Sequence, residues 1–130
     1  MKKNKGFTLV EIMIVVAIIA LLAAIAIPNL LRAKIGANDA LAKGTLRSLS
    51  TASETFATTN NGSYPANIAA LTGATPPYIN DDPCTGSPLK SGFTYNCTFA
   101  ASGYTITAVP QTAGTSGTTT FTVSTGGVLQ

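Results

Sequence analysis

Three groups of residues in this chain could do chemistry, each of a different kind. Glu11 stands between Val10 and Ile12 at the head of a run that carries no further charge until Arg32. A carboxylate there is an ion-pairing or hydrogen-bonding group in apolar surroundings, and at the centre of a membrane helix it would cost roughly 2.5 to 3.5 kcal/mol. Such a cost calls for a partner. Cys84 and Cys97 are the only cysteines, so their chemistry is either a disulfide or a pair of buried thiols. Zinc lacks ligands, because the chain has no histidine. Asp81 and Asp82, between Asn80 and Pro83, could offer oxygens to calcium, but adjacent acids without the spaced ligands of a calcium loop more often form a solvated turn. The expectation is no cofactor, with calcium at Asp81 and Asp82 as the weaker alternative. The remaining acids are scattered and the glycines form no phosphate loop, so no acid-base pair or triad can be assembled and no enzyme is expected.

Composition sets the elements that must hold these residues. The chain is 45% apolar and only 10% charged, greasy for a soluble protein. The excess is local, lying between Phe7 and Leu31, while the rest is rich in Thr, Ser, Ala and Gly. One membrane segment and one small exported domain fit this division. The net charge of +3 comes from Lys2, Lys3 and Lys5, all before Gly6; the other cations and acids cancel. That is the basic flank of a segment obeying the positive-inside rule. With no basic stripe and no interleaved aromatics, no nucleic-acid partner is expected. A secretory signal cut after Ala24 or Ala26 is an alternative reading of the run from Ile12 to Ile27. Glu11 and the helical pattern that continues downstream argue against it.

The stretch Lys5-Gly6-Phe7-Thr8-Leu9-Val10-Glu11-Ile12, followed by an apolar run closed by Pro28, resembles the N-terminus of type IV prepilins and type II secretion pseudopilins. The resemblance covers about the first fifty residues. It implies that a prepilin peptidase cuts between Gly6 and Phe7 and methylates the new amino group of Phe7. The apolar run then anchors the subunit in the inner membrane until an assembly platform, driven by an ATPase, lifts it into a helical fibre of identical subunits on the cell surface. Glu11 is then the assembly residue, pairing with the Phe7 amine of a neighbouring subunit. The competing reading makes Glu11 an interfacial acid that snorkels to lipid headgroups. Pro28, which removes a helical hydrogen bond, is the expected kink. Gly36 and Gly44 weaken the helix further.

Leu30, Leu31, Ile35, Ala42, Leu46, Leu49 and Phe56 recur at helical spacing and predict an inward stripe, with Lys34, Lys43, Arg47 and Glu54 turned largely away. Asn60-Asn61-Gly62-Ser63-Tyr64-Pro65 ends the helix. A loop follows to Pro88, with a short helical turn near Ile68 to Leu71. Alternation predicts strands from Phe93 to Phe99 and from Tyr104 to Ala108 about a Ser102-Gly103 turn, then Thr118 to Ser124 and an edge segment at Val128-Leu129. The organisation expected is a leader at 1–6, a helix at 7–58 with its membrane and assembly segment at about 7–31, and a head at 59–130. The fold class is α+β, a long helix against a small antiparallel meander. An exported head makes the Cys84–Cys97 disulfide the default. Asn61-Gly62-Ser63 and Asn96-Cys97-Thr98 match the glycosylation sequon only weakly.

The function expected is a structural pilus subunit. A type II secretion pseudopilin is the nearest alternative, although the TGGVLQ ending lacks the acid-rich calcium loop that resemblance to that branch would bring. A membrane-tethered binding module and a DNA-capturing minor pilin are more distant alternatives.

Overall fold

The structure is a computed structural model that describes residues 1, 5–85 and 90–130. The basic leader positions Lys2 and Lys3, and the end of the loop expected to run to Pro88, lie outside the described residues. The first helix, α1, runs over Leu9–Thr59 and continues through Pro28. By contact density the chain divides into Met1–Ala33 and Lys34–Gln130.

In the first unit, α1 is apolar on all sides between Ile12 and Ile27. Phe7, Leu9, Ile12, Ile18, Leu22 and Ile27 are all exposed. Its most hydrophobic stretch is long and apolar enough to cross a membrane, and none of that stretch is buried among the described residues. A helix apolar all round has no polar face to give to water, so it needs either lipid or other helices around it.

In the second unit, Ala42, Leu46, Leu49, Ala52 and Ala57 of α1 are buried at three- to five-residue steps. The first four share one core with the short helix α2, Ile68–Thr72, whose Ile68 and Leu71 are buried. Asn67 caps α2 by accepting the Ala70 N–H at 3.0 Å, the usual role of asparagine at this position. The strands β1 (Phe93–Ala100), β2 (Gly103–Pro110), β3 (Phe121–Ser124) and β4 (Val128–Leu129) follow. They form one antiparallel sheet in the order β1-β2-β3-β4. Phe93 and Tyr95, Tyr104, Ile106 and Ala108, and Phe121 and Val123 project from alternate positions into the same core. Each fully buried Leu or Ile of this layer contributes roughly 1.5 to 3 kcal/mol. The α+β class is therefore as expected, with the hairpin turning between Ala100 and Gly103.

Cys84 and Cys97 form a disulfide with their Cα atoms 5.7 Å apart, which ties the irregular loop to β1. The loop after α1 starts where Gly62, at φ 83°, returns its N–H to the Ala57 carbonyl at 2.8 Å. That left-handed position is one glycine fills without strain.

Three details differ from expectation. Strand β3 begins at Phe121 rather than Thr118, because the Asp39 carboxylate on α1 takes the Thr118 N–H at 2.9 Å and its hydroxyl at 2.6 Å. Lys43 is not turned away: its ammonium lies 4.6 Å from the centre of the Phe121 ring, a cation–π contact. Leu30 and Leu31, placed in the inward stripe by spacing, are exposed.

Candidate functional site

The residues singled out near the N-terminus come together in one short segment. Gly6, Phe7 and Thr8 precede α1 and are exposed. A side chain added at Gly6 would meet nothing within 4 Å, so the chain's own fold makes no demand for glycine there. Thr8 is the residue before the first helical turn, and it reaches Glu11 in three ways. The Thr8 N–H donates to Glu11 Oε2 at 2.7 Å and the Thr8 hydroxyl to the same oxygen at 2.8 Å. In return the Glu11 N–H donates to Thr8 Oγ1 at 3.2 Å. This reciprocal arrangement is a capping box, which satisfies two backbone donors that a helix start otherwise leaves open. Both side-chain contacts fall on Oε2, and the second carboxylate oxygen has no partner among the described residues. Thr8 was not singled out in the sequence, although the T-x-x-E spacing before an apolar run is the signal that finds it.

A second acid holds the head together. Glu54, near the end of α1, accepts the Gly126 N–H at 2.7 Å and the Tyr104 hydroxyl at 2.9 Å on Oε1, and the Tyr64 hydroxyl at 2.9 Å on Oε2. Tyr104 Oη also lies 2.8 Å from Ser50 Oγ. Since Tyr104 gives its proton to the carboxylate, Ser50 donates to Tyr104. One carboxylate thus joins the helix, the post-helical loop, β2 and the β3–β4 turn. Burial pushes the Glu54 carboxyl upward, but the bonds from Gly126, Tyr64 and Tyr104 outweigh it and hold it below the usual carboxylate value. The Tyr64 hydroxyl is raised in turn, chiefly by its bond to Glu54.

A folded-state value below the unfolded one means stability that is present above the carboxylate range and lost as pH falls through it. Glu54→Gln should therefore destabilise the head at neutral pH by roughly 1 to 3 kcal/mol, as expected for charge-assisted bonds, and should flatten the loss of stability in acid. Tyrosine near-ultraviolet circular dichroism of the detergent-solubilised full chain, melted at several pH values, measures both. Parental melting at neutral pH would contradict this role.

Asp81 and Asp82 are spent separately. Asp82 accepts the Cys84 N–H at 2.9 Å and the Thr85 N–H at 3.0 Å, and it bonds the Thr85 hydroxyl. Burial raises this carboxyl, and the bonds from Thr85 and Cys84 lower it by more. Asp81 pairs with Lys90. Among the described residues no group of three His, Cys, Asp or Glu side chains converges. A groove of about 820 Å³ lies between α1 and the segment after α2, with Arg47, Thr51, Thr55 and Thr59 facing Pro76, Pro77 and Tyr78. Its hydroxyls are largely committed: Thr55 donates to the Thr51 carbonyl and Thr59 lies 2.6 Å from the Tyr78 hydroxyl.

Residues 1–27 match the family described as the prokaryotic N-terminal methylation motif. The chain is 49% identical over 71 residues to the type IV wide pilus major component PilA4 of Thermus thermophilus, covering 55% of this chain and 53% of that protein. It is 52% identical over 54 residues to the type IV major pilin protein PilA of Myxococcus xanthus, covering 42% of this chain and 24% of that one. Over 29 residues it is 76% identical to a fimbrial protein of Pseudomonas aeruginosa, covering 22% of this chain and 19% of that protein. The matched region thus spans about half or less of each relative's own length. No solved structure matches the chain.

Proposed function

We propose that this chain, which carries the N-terminal methylation motif at residues 1–27 and is similar over part of its length to type IV major pilins, is a structural subunit that polymerises into a type IV pilus on the cell surface. One observation carries the reading. The motif residues open a helix whose apolar surface is left uncovered among the described residues, and that helix holds an acid at its first turn. Lipid can cover such a surface before assembly, and the helices of identical subunits can cover it afterwards.

In this reading a prepilin peptidase removes residues 1–6 and methylates Phe7. The open space at Gly6 suits a glycine required by the peptidase rather than by the fold. The inner-membrane platform and its ATPase then draw the subunit out of the bilayer. Glu11 meets the Phe7 amine of a neighbour. Two unit charges 4 Å apart attract by about 4 kcal/mol at an effective dielectric near 20, and either charge left alone among packed helices is penalised. Each incoming subunit is thereby held to one register. Pro28, Gly36 and Gly44 are points where the helix can loosen as subunits pack. The reading invokes no cofactor; Asp81 pairs with Lys90 and Asp82 bonds the Cys84 and Thr85 amides. The named relatives are pilus and fimbrial proteins, which favours a pilus over a secretion pseudopilus.

The test is electron microscopy of the material sheared from cells that make the chain and from cells that lack it. Long filaments containing the chain are expected only from the first. Their absence, with the chain retained in the membrane, would contradict polymerisation.

A further inference from the structure

We infer that Thr8 is a positioning residue for assembly: its hydroxyl holds Glu11 Oε2 in the unassembled subunit and leaves the other carboxylate oxygen for the incoming amine. This role rests on the pairing of Glu11 with a neighbour's Phe7 proposed above. The geometry carries it. Both donors of Thr8, the N–H at 2.7 Å and the hydroxyl at 2.8 Å, converge on the same oxygen. The return bond from the Glu11 N–H to Thr8 Oγ1 at 3.2 Å fixes the hydroxyl, so among the described residues the carboxylate is clamped from one side only.

Two consequences follow from elementary chemistry. An ionised carboxylate in apolar surroundings is tolerated when hydrogen-bond donors replace its lost water, and Thr8 supplies two from within the same subunit. The acid can therefore remain in the lipid-facing helix before any neighbour arrives. A glutamate side chain also loses considerable rotamer freedom when it is fixed. With that freedom already given up in the monomer, pairing begins from an aligned carboxylate and less of the interaction is lost to ordering. Because Thr8 donates and the amine also donates, the two do not compete for one lone pair: a carboxylate has about four acceptor positions. The cap can persist in the fibre.

A plain helix-capping role makes a different forecast, and substitution separates the two. As a cap, glycine is close to threonine, and serine is slightly better. Thr8→Gly therefore preserves the helix start to within a few tenths of a kcal/mol but removes the hydroxyl donor to Glu11. Thr8→Ser keeps both. The experiment compares sheared filament yield, normalised to the cut subunit held in the membrane, for the parent, Thr8→Ser, Thr8→Gly and Glu11→Ala. Thr8→Ser should match the parent. Thr8→Gly should fall about ten-fold, the size expected from one charge-assisted hydrogen bond. Parental yield from Thr8→Gly alongside loss in Glu11→Ala would overturn the role of Thr8 and leave the pairing intact. Parental yield from Glu11→Ala would overturn the pairing itself, and the role of Thr8 with it.

Discussion

Glu11→Ala subunits should be inserted and cut normally, should accumulate in the membrane, and should yield no filaments. The substitution removes the only acid in the apolar part of α1, so insertion becomes easier, by less than for an acid at the helix centre because Glu11 sits in the first turn. Assembly responds in the opposite direction. The neighbour's Phe7 amine would enter the helix bundle without a counter-charge, and removing one partner of a buried pair costs about 3 to 5 kcal/mol. Repeated at every subunit, that penalty stops a polymer. The opposed signs distinguish this variant from a misfolded one, in which both amounts fall. Immunoblots of membrane and sheared fractions give the two quantities. Normal filament yield from Glu11→Ala would make the acid an interfacial bystander.

Gly6→Val should leave a full-length precursor in the membrane and abolish filaments. The fold offers no reason for this loss, since nothing lies within 4 Å of a side chain placed there. An effect of the substitution must therefore come from another molecule. A β-branched residue restricts the backbone at the scissile bond and crowds any enzyme that has to approach it. In the parent, mass spectrometry of the surface protein should find an N-terminus at Phe7 bearing one methyl group. A terminus following Ala24 or Ala26 would mean that the apolar run is a discarded signal, and the polymer account would fail with it.

Much of the head was legible because its elements repeat with simple periods. Ala42, Leu46 and Leu49 keep helical spacing, and Phe93, Tyr95 and Cys97 alternate; both patterns report which side faces the core. Val128-Leu129 was readable from the Gly126-Gly127 turn before it, and the Cys84–Cys97 bridge from there being two cysteines in a head expected to be exported. Glu54 was not legible. Period places its Cα on the flank of the stripe, but a glutamate is long enough to reach back over that edge. Its partners Tyr64, Tyr104 and Gly126 lie 10, 50 and 72 positions away, distances over which no local pattern extends. Lys43 misled in the same way, because a lysine is long enough to bring its ammonium back over the Phe121 ring.

At the candidate site the reverse holds: everything needed was within four residues. Thr8 and Glu11 have the spacing of a capping box, yet an acid in an apolar run directs attention to a partner in another molecule. The structure supplies a partner inside the chain and, among the described residues, leaves one oxygen over. These observations fit together, because a carboxylate clamped from one side by its own helix start is both tolerable in lipid and available to a neighbour.

The most direct measurement is a density map of the sheared filament at a resolution that shows side chains. The account predicts a tight central bundle of the apolar helices in which each Glu11 carboxylate lies within about 4 Å, the ion-pair range, of the methylated Phe7 amine of a different subunit. A map in which Glu11 faces solvent, or contacts only its own Thr8 while the neighbouring amine lies elsewhere, would contradict it.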